Sequence, residues 1–334
     1  MRKTVAAMMA VIAAVVIVGV SIWYLQNSEK NYEAKPEPIT IGSLPYDYSA
    51  LIFIADDQGF FAENGLNATV RTYVSTLDSA AGIENCDVDV SLLPEYSIVA
   101  EAFKKENISV IGSIDKYQSV YLICRKDHGI ENISDLRGKK IGATCGTIGE
   151  FYLGRFLNLR GINMEEVTLV DMRPPQYVDS LANGSVDAVI TVYKYFEQSK
   201  ERLGNNFLAW PIQSSQKGYM LLTCRNDWIA GHPETIKTLL ESIVQAEDYT
   251  INHPAQAKAI VQEQMNYTDE NMATIWPDHQ YSLTLDQSLV TAMEDEGRWM
   301  IKNNLTAEKR IPDFRNYIYT KGLEVVKPRS VNIR

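Results

Sequence analysis

Short apolar runs of β-strand composition alternate with helix-length segments along most of this chain, and the whole pattern occurs twice. The first set lies at residues 39–43, 68–74, 88–92 and 110–114, and the second at residues 140–144, 168–171, 188–191 and 207–210. Strands that alternate with helices are typical of a parallel sheet covered by helices. The sequence therefore predicts two α/β units in tandem, because a folded part of about 300 residues is too long for one typical core.

Two similar segments join these units. Residues 121–127 read Tyr-Leu-Ile-Cys-Arg-Lys-Asp and residues 220–227 read Met-Leu-Leu-Thr-Cys-Arg-Asn-Asp, so both are apolar runs that end in Cys-Arg-x-Asp. We interpret them as a pair of crossover strands, along which the chain leaves one lobe and later returns to it. This interpretation predicts a first lobe of residues 39–123 plus 225–334 and a second lobe of residues 124–224.

The matched endings put Cys124 and Cys224 at equivalent points of the two crossover segments. If the segments pair antiparallel, opposed residues at a non-hydrogen-bonded site lie about 4.5 Å apart at Cα. That distance allows a disulfide outside the cell. Two buried free thiols that pack as small apolar side chains are the alternative. Four cysteines are too few to hold a chain of this length together, so hydrophobic burial must stabilise the fold.

The N-terminal segment determines the expected location. Residues 5–25 contain no charged side chain, and Arg2 and Lys3 precede them. A helix needs about 20 apolar residues to cross a membrane, and the basic flank predicts a cytoplasmic N-terminus. Bulky residues at the end of the run favour an uncleaved anchor over a cleaved signal peptide. We expect residues 1–25 to be a membrane anchor or signal, residues 26–38 to be a linker, and the rest to be extracellular or periplasmic.

Charge and motif content argue against several function classes. The formal net charge is −10, without a basic stripe, which argues against a nucleic-acid partner. The four histidines lie far apart, and the sequence contains no zinc-ligand spacing and no serine-hydrolase, zinc-protease or phosphate-loop motif. We therefore predict a protein that is not an enzyme and that has no metal and no cofactor.

Several short motifs follow one another in a specific order along the chain. They lie at residues 55–61 with 65–66, 135–142, 181–188, 275–278, 285–289 and 319–323. Each is weak by itself, but together they resemble the substrate-binding proteins of ABC importers of the nitrate, sulfonate and taurine group, which are related to thiamine-precursor binders. The resemblance covers nearly the whole mature chain. It implies an α/β, type II periplasmic-binding-protein-like fold, which is a two-lobed clam with two crossover strands and a ligand in its cleft.

In such a fold the ligand should lie at the carboxyl ends of the parallel strands, where loops lead into helix N-termini. Gly146 and Thr147 directly follow a strand, so their backbone N–H groups and the threonine hydroxyl favour an anionic oxygen. Arg173, Thr191 and Tyr193 are at or just beyond the ends of two further strands, and we predict that they belong to the same site. The alternatives are a threonine helix cap for Thr147 and solvated loop residues for Arg173 and Tyr193.

The equivalent loops of the first lobe should face this helix end across the cleft. They carry the candidate ligand-binding residues Tyr46, Ser75, Thr76, Pro94 and Glu95. Tyr46 can close over an apolar part of the ligand. The Glu95 carboxylate, by contrast, repels an anion and attracts an ammonium group. A zwitterion such as an amino sulfonate would suit both the carboxylate and the helix end.

The resemblance and these residues together predict an extracellular solute-binding protein. It would deliver a small anionic or zwitterionic organic solute, such as a sulfonate, taurine or nitrate, to an ABC permease and its ATPase. We expect it to act as a monomer. Three alternatives stay open, namely a pyrimidine binder of the thiamine-precursor type, a small-acid lyase or dehydratase on the same fold, and a sensor domain.

Overall fold

Two mixed β-sheets form the framework of the computed structural model, which describes residues 35–333. The first sheet contains β1 (Glu37–Ser43), β2 (Leu66–Thr72), β3 (Val90–Pro94), β4 (Ile108–Tyr117), β10 (Gly218–Arg225) and β11 (His279–Thr284). The second sheet contains β5 (Val120–Arg125), β6 (Lys140–Ala143), β7 (Thr168–Asp171), β8 (Ala188–Val192) and β9 (Phe207–Pro211). The strand orders are β2-β1-β3-β10-β4-β11 and β7-β6-β8-β5-β9.

Amphipathic helices cover these sheets. The helices that accompany the first sheet are α1 (Ala50–Asp57), α2 (Phe60–Glu63), α3 (Thr76–Glu84), α4 (Glu95–Lys104), α8 (Asn226–Gly231), α9 (Pro233–Asn252), α10 (Pro254–Met265), α11 (Asp269–Ile275), α12 (Gln287–Lys302) and α13 (Lys321–Val326). Those of the second sheet are α5 (Ile148–Asn158), α6 (Tyr177–Ala182) and α7 (Tyr193–Leu203). In α9 the apolar residues Ile236, Leu240 and Ile243 recur at helical spacing and are fully buried, so this helix anchors the first core.

The two sheets share one arrangement, which confirms the predicted two-lobed α/β fold. In the first sheet β1, β2 and β3 are parallel, and β10 is antiparallel to β3 and β4. In the second sheet β6, β7 and β8 are parallel, and β5 is antiparallel to β8 and β9. The similar segments noticed in the sequence are β5 and β10, which occupy the same place in their respective sheets.

The predicted disulfide between Cys124 and Cys224 is wrong. Cys124 lies in β5, opposite Ala188 and Leu208, whereas Cys224 lies in β10 of the other sheet. Both are buried free thiols, and burial raises the pKa of each. The two strands resemble each other because they are equivalent in position, and they do not pair with each other.

The chain passes between the sheets at residues 118–119 and again at residues 212–217. Strand β5 belongs wholly to the second sheet and β10 wholly to the first. Both passages therefore lie before the ends of the predicted second lobe, residues 124–224. We call residues 37–117 and 218–333 lobe 1, and residues 120–211 lobe 2.

The predicted anchor and most of the predicted linker lie outside the described residues. Strand β1 already begins at Glu37, inside the segment expected to be a linker, because it pairs in register with β2. Within residues 35–333 no helix combines the length and the apolar character that a membrane crossing requires.

Candidate functional site

Six parallel strands each lead to a residue that caps the next helical segment. They are β1, β2 and β3 in lobe 1 and β6, β7 and β8 in lobe 2. At β3 and β8 the capping residue is the last residue of the strand, and at the other four it ends a short loop. The capping residues all have extended backbone conformations, and they are Tyr46, Ser75, Pro94, Thr147, Arg173 and Val192. Because parallel strands end at the same edge of a sheet, the helix starts of both lobes meet at one cleft.

This cleft contains about 700 Å³ of unfilled space, part of it open to solvent. Its polar lining consists of tyrosines and small hydroxyl residues, which are Tyr46, Tyr48, Tyr117, Tyr177, Tyr195, Ser75, Thr76, Thr144, Thr147 and Thr191. The other lining residues are Pro94, Val120, Ala143, Ile148, Gly149, Pro174, Ile190, Val192 and Met220. Among the described residues that line the cleft, none is an Asp, Glu, Lys, Arg or His.

The five lining tyrosines form a continuous row that crosses from lobe 1 to lobe 2. Ring centroids are 5.5 Å apart between Tyr117 and Tyr48, 5.2 Å between Tyr48 and Tyr46, and 6.5 Å between Tyr46 and Tyr195. Tyr177 completes the row at 5.7 Å from Tyr195. Aromatic rings attract one another at such separations, about 4.5–7 Å. This tyrosine row gives the cleft aromatic surface from both lobes.

Hydrogen bonds to neighbouring residues hold the tyrosine row in place. The Tyr177 hydroxyl accepts a bond from the Thr144 backbone N–H at 3.1 Å and lies 2.6 Å from the Thr144 hydroxyl oxygen. The Thr144 hydroxyl in turn donates to the Met172 carbonyl at 2.9 Å. At the other lobe, the Tyr46 hydroxyl donates to the Val74 carbonyl at 3.2 Å. Burial raises the pKa of Tyr46 and of Tyr177, so both hydroxyls stay protonated at neutral pH.

The Gly146 N–H and the Thr147 hydroxyl, predicted to bind an anion just before α5, already bond to groups of the protein. The Gly146 N–H donates to the Glu150 carboxylate at 2.8 Å, and the Cys145 N–H donates to the Asp171 carboxylate at 3.0 Å. The Thr147 hydroxyl donates to the Thr144 carbonyl at 2.7 Å. Two carboxylates thus already lie at this helix end, and they disfavour a further negative charge there.

The Glu95 carboxyl group, predicted to face the ligand, lies behind the cleft. It is fully buried, and its Oε2 accepts a bond from the Tyr219 N–H at 2.9 Å. The equally buried Glu296 carboxyl lies within hydrogen-bonding reach of it. Burial raises the pKa of Glu95, and burial together with the neighbouring carboxyl raises the pKa of Glu296. Two carboxyl groups in this setting share a proton rather than both ionising.

Arg173 and Tyr193 also lie outside the cleft lining. The Arg173 guanidinium donates to the Ser75 hydroxyl at 2.9 Å and to the Asp78 carboxylate at 3.1 Å, both in lobe 1. The Tyr193 hydroxyl accepts a bond from Asn271 Nδ2 at 3.3 Å. Of the candidates, the structure brings to the cleft Tyr46, Ser75, Thr76, Pro94, Thr147 and Thr191. It leaves Glu95, Gly146, Arg173 and Tyr193 outside the lining.

Most of the tyrosine row was missed by sequence reasoning. Tyr48 and Tyr195 each lie two positions after a predicted residue, Tyr46 and Tyr193. Tyr46 and Tyr48 both line the cleft, whereas the turn of α7 brings Tyr195 and not Tyr193 into the lining. Tyr117 ends β4 at the passage between the lobes. The available signal was the clustering of tyrosines near strand ends in a chain with 18 of them.

Comparison with known proteins identifies the family. A family model described as "NMT1/THI5 like" matches residues 47–257. The chain belongs to the NMT1/THI5-like family. This family assignment, together with the structural likeness described next, confirms the resemblance drawn from the sequence motifs.

The names of similar proteins describe different functions. A Brucella abortus relative named "Putative binding protein" is 24% identical over 245 residues, covering 71% of this chain and 74% of its own. The Saccharomyces cerevisiae 4-amino-5-hydroxymethyl-2-methylpyrimidine phosphate synthase THI5 is 23% identical over 233 residues, covering 64% and 66%. The alkanesulfonate-binding protein SsuA of Xanthomonas axonopodis pv. citri, bound to MOPS, has a TM-score of 0.74 at 11% identity, covering 86% and 99%. At 11% identity this likeness is one of fold.

No group of three or more His, Cys, Asp or Glu residues within residues 35–333 is arranged to hold a metal ion.

Proposed function

We propose that this NMT1/THI5-like protein binds a small, uncharged heteroaromatic solute of the pyrimidine class. The observation that carries the proposal is the tyrosine row, which spans both lobes in a cleft whose described lining residues include no charged side chain. Planar rings stack favourably on tyrosine, and base-sized rings gain about 1–3 kcal/mol from each such contact. The threonine and serine hydroxyls offer hydrogen bonds to ring nitrogens and to exocyclic groups.

The same geometry disfavours the anionic solute expected from the sequence. A sulfonate or nitrate that loses its water on entering the cleft needs a cation or several free N–H groups to replace its hydration. Here the Gly146 and Cys145 N–H groups already bond to carboxylates, and the Arg173 guanidinium is engaged with Ser75 and Asp78. The likeness to the alkanesulfonate-binding protein, at 11% identity, is a likeness of fold.

The name of the yeast relative also supports a pyrimidine ligand. Its printed name assigns it a product built on 4-amino-5-hydroxymethyl-2-methylpyrimidine. We use this pyrimidine as the representative ligand, since it combines a planar ring with an amino and a hydroxymethyl group that match tyrosine rings and threonine hydroxyls.

We further propose that the protein is a monomeric binding component and not an enzyme. It would hand its solute to an ABC permease and the associated ATPase, on the extracellular face of the membrane or in the periplasm, anchored by residues 1–25. The charge-free segment at residues 5–25 and the binding-protein fold support this arrangement.

Calorimetric titration tests the ligand class. We expect 4-amino-5-hydroxymethyl-2-methylpyrimidine to bind, and taurine, ethanesulfonate and nitrate to bind much more weakly. Tyr195→Leu should weaken pyrimidine binding by about 1–3 kcal/mol, whereas Tyr195→Phe, which keeps the ring, should stay close to the unmodified protein. Tight binding of a sulfonate, or equal affinities in the Leu and Phe variants, would contradict the proposal.

A further inference from the structure

Arg173, Ser75 and Asp78 form a polar bridge between the two lobes, which we call the rim bridge. The Arg173 guanidinium of lobe 2 reaches the Ser75 hydroxyl at 2.9 Å and the Asp78 carboxylate at 3.1 Å. Within lobe 1, Ser75 accepts a bond from the Asp78 N–H at 3.2 Å and donates to the Asp78 carboxylate at 2.6 Å. Ser75 lines the cleft and Arg173 directly precedes the lining residue Pro174. The rim bridge therefore closes the cleft at its edge.

A second cation from lobe 2 makes a similar contact. Lys194 Nζ donates to the Pro45 carbonyl at 3.3 Å and lies 5.5 Å from the ring centroid of Tyr46, both in lobe 1. Burial lowers the pKa of Lys194. Polar contacts from lobe 2 thus reach the loops that follow β1 and β2 in lobe 1.

The lobes also meet through packed aromatic side chains. Phe151 of α5 lies edge-on to Trp299 of α12 at 5.5 Å and 6.3 Å from Tyr96 of α4. A Cβ atom added at Gly154 would lie 2.9 Å from the Trp299 ring, so the two helices are in close contact. Separating this contact would expose buried apolar surface to water, which is unfavourable.

The rim bridge, by contrast, is partly solvated. The Arg173 side chain is 54% exposed and that of Asp78 is 41% exposed. Exposed ion pairs exchange their partner for water at little cost in free energy. Unlike the Phe151–Trp299 contact, the rim bridge can therefore separate without exposing buried apolar surface.

We propose that the rim bridge is a latch and that the ligand enters and leaves the cleft beside it. Arg173 then acts as a positioning residue, which holds the Ser75 loop of lobe 1 against lobe 2 without touching the ligand. The part of this inference that concerns ligand exchange rests on the proposed function. The part that concerns closure does not, because it depends only on contacts between residues of the two lobes.

Stopped-flow fluorescence with 4-amino-5-hydroxymethyl-2-methylpyrimidine separates a latch from a ligand contact. Arg173→Gln and Asp78→Asn should each raise both the association and the dissociation rate by about two- to fivefold, as expected for one exposed ion pair. The double variant should be no faster than either single variant, because both remove the same contact. The matched control is Arg137→Gln, which removes a 2.8 Å ion pair to Glu166 inside lobe 2 and should leave both rates unchanged.

An effect of Arg173→Gln without an effect of Asp78→Asn would overturn the proposal and make Arg173 a ligand contact. Unchanged rates in both variants would overturn it as well.

Hydrogen exchange of the ligand-free full chain tests closure independently. Peptides that cover residues 73–79 and 143–149 should exchange faster in Arg173→Gln and in Asp78→Asn than in Arg137→Gln, because an opened cleft exposes these loops. Equal exchange in the three variants would overturn the latch even if the pyrimidine binds. If the pyrimidine does not bind and the two loops still exchange faster, the proposed ligand is wrong and the latch stands.

Discussion

Replacing Glu150 by glutamine tests why the start of α5 should not bind an anion. The Glu150 carboxylate accepts the Gly146 N–H bond at 2.8 Å, in the first turn of α5, and the residue is 9% exposed. Glutamine keeps an acceptor oxygen of the same reach and removes only the charge. The substitution therefore isolates the electrostatic part of this contact.

The expected magnitudes follow from the contact. A hydrogen bond to a charged group contributes about 1.5–3 kcal/mol and a neutral one about 0.5–1.5 kcal/mol, and a negative charge at a helix start adds about 0.3–1 kcal/mol. Glu150→Gln should therefore lower the free energy of unfolding by about 1–2 kcal/mol. Removing the same charge should strengthen the binding of a sulfonate by about 1 kcal/mol, which is roughly a fivefold change in Kd.

Urea unfolding followed by tryptophan fluorescence measures the first effect, and calorimetric titration with ethanesulfonate measures the second. The matched control is Glu294→Gln, the same chemical change on the solvent side of α12, where the Glu294 side chain is 43% exposed and 3.5 Å from Arg298. It should change neither quantity appreciably. If Glu150→Gln unfolds like the unmodified protein and binds ethanesulfonate no better, the reasoning about the occupied helix end is refuted.

Two further predictions concern groups behind and within the cleft. Burial raises the pKa of Glu95 and of Glu296, so the folded chain keeps a proton that the unfolded chain releases, and stability falls as the pH rises from about 5 to about 8. Glu296→Gln removes one titrating group, and the free energy of unfolding, measured by urea titration at several pH values, should then depend less on pH over this range; an unchanged slope would contradict the shared proton. Tyr177→Phe leaves the buried Thr144 N–H without its acceptor and should cost about 1–3 kcal/mol in the same assay at pH 7. A loss below about 0.5 kcal/mol would show that the Tyr177 hydroxyl is replaced easily, for example by water.

The local sequence pattern was sufficient to predict the two-lobed α/β fold. The apolar runs predicted at residues 140–144 and 188–191 are β6 and β8, because a strand buried on both faces reads directly as an apolar run. The repeat of Cys-Arg-x-Asp correctly marked two equivalent strands. The inference that these two strands pair with each other was wrong. A repeated motif is expected both for strands that pair and for strands at equivalent places in two sheets, so the sequence does not distinguish these cases.

The site was less predictable, because it depends on where side chains point. The backbone after β6 was correctly expected to lead into a helix start, but nothing in the sequence order shows that Glu150 turns back onto the Gly146 N–H. The same holds for Tyr195, whose ring enters the cleft while that of Tyr193 packs outside the lining. Ser75 and Thr147, which cap the helices that follow them, do line the cleft.

The position of β10 between β3 and β4 determines the order in which the lobes can be completed during synthesis. The sheet of lobe 2 has all its strands once the chain has been made as far as Pro211. The sheet of lobe 1 lacks a central strand until Arg225 has emerged, and its edge strand β11 follows only at Thr284. Until β10 has been made, β3 and β4 present open, apolar edges that attract other chains. The later-made part of the chain therefore controls how long the nascent protein is prone to aggregate.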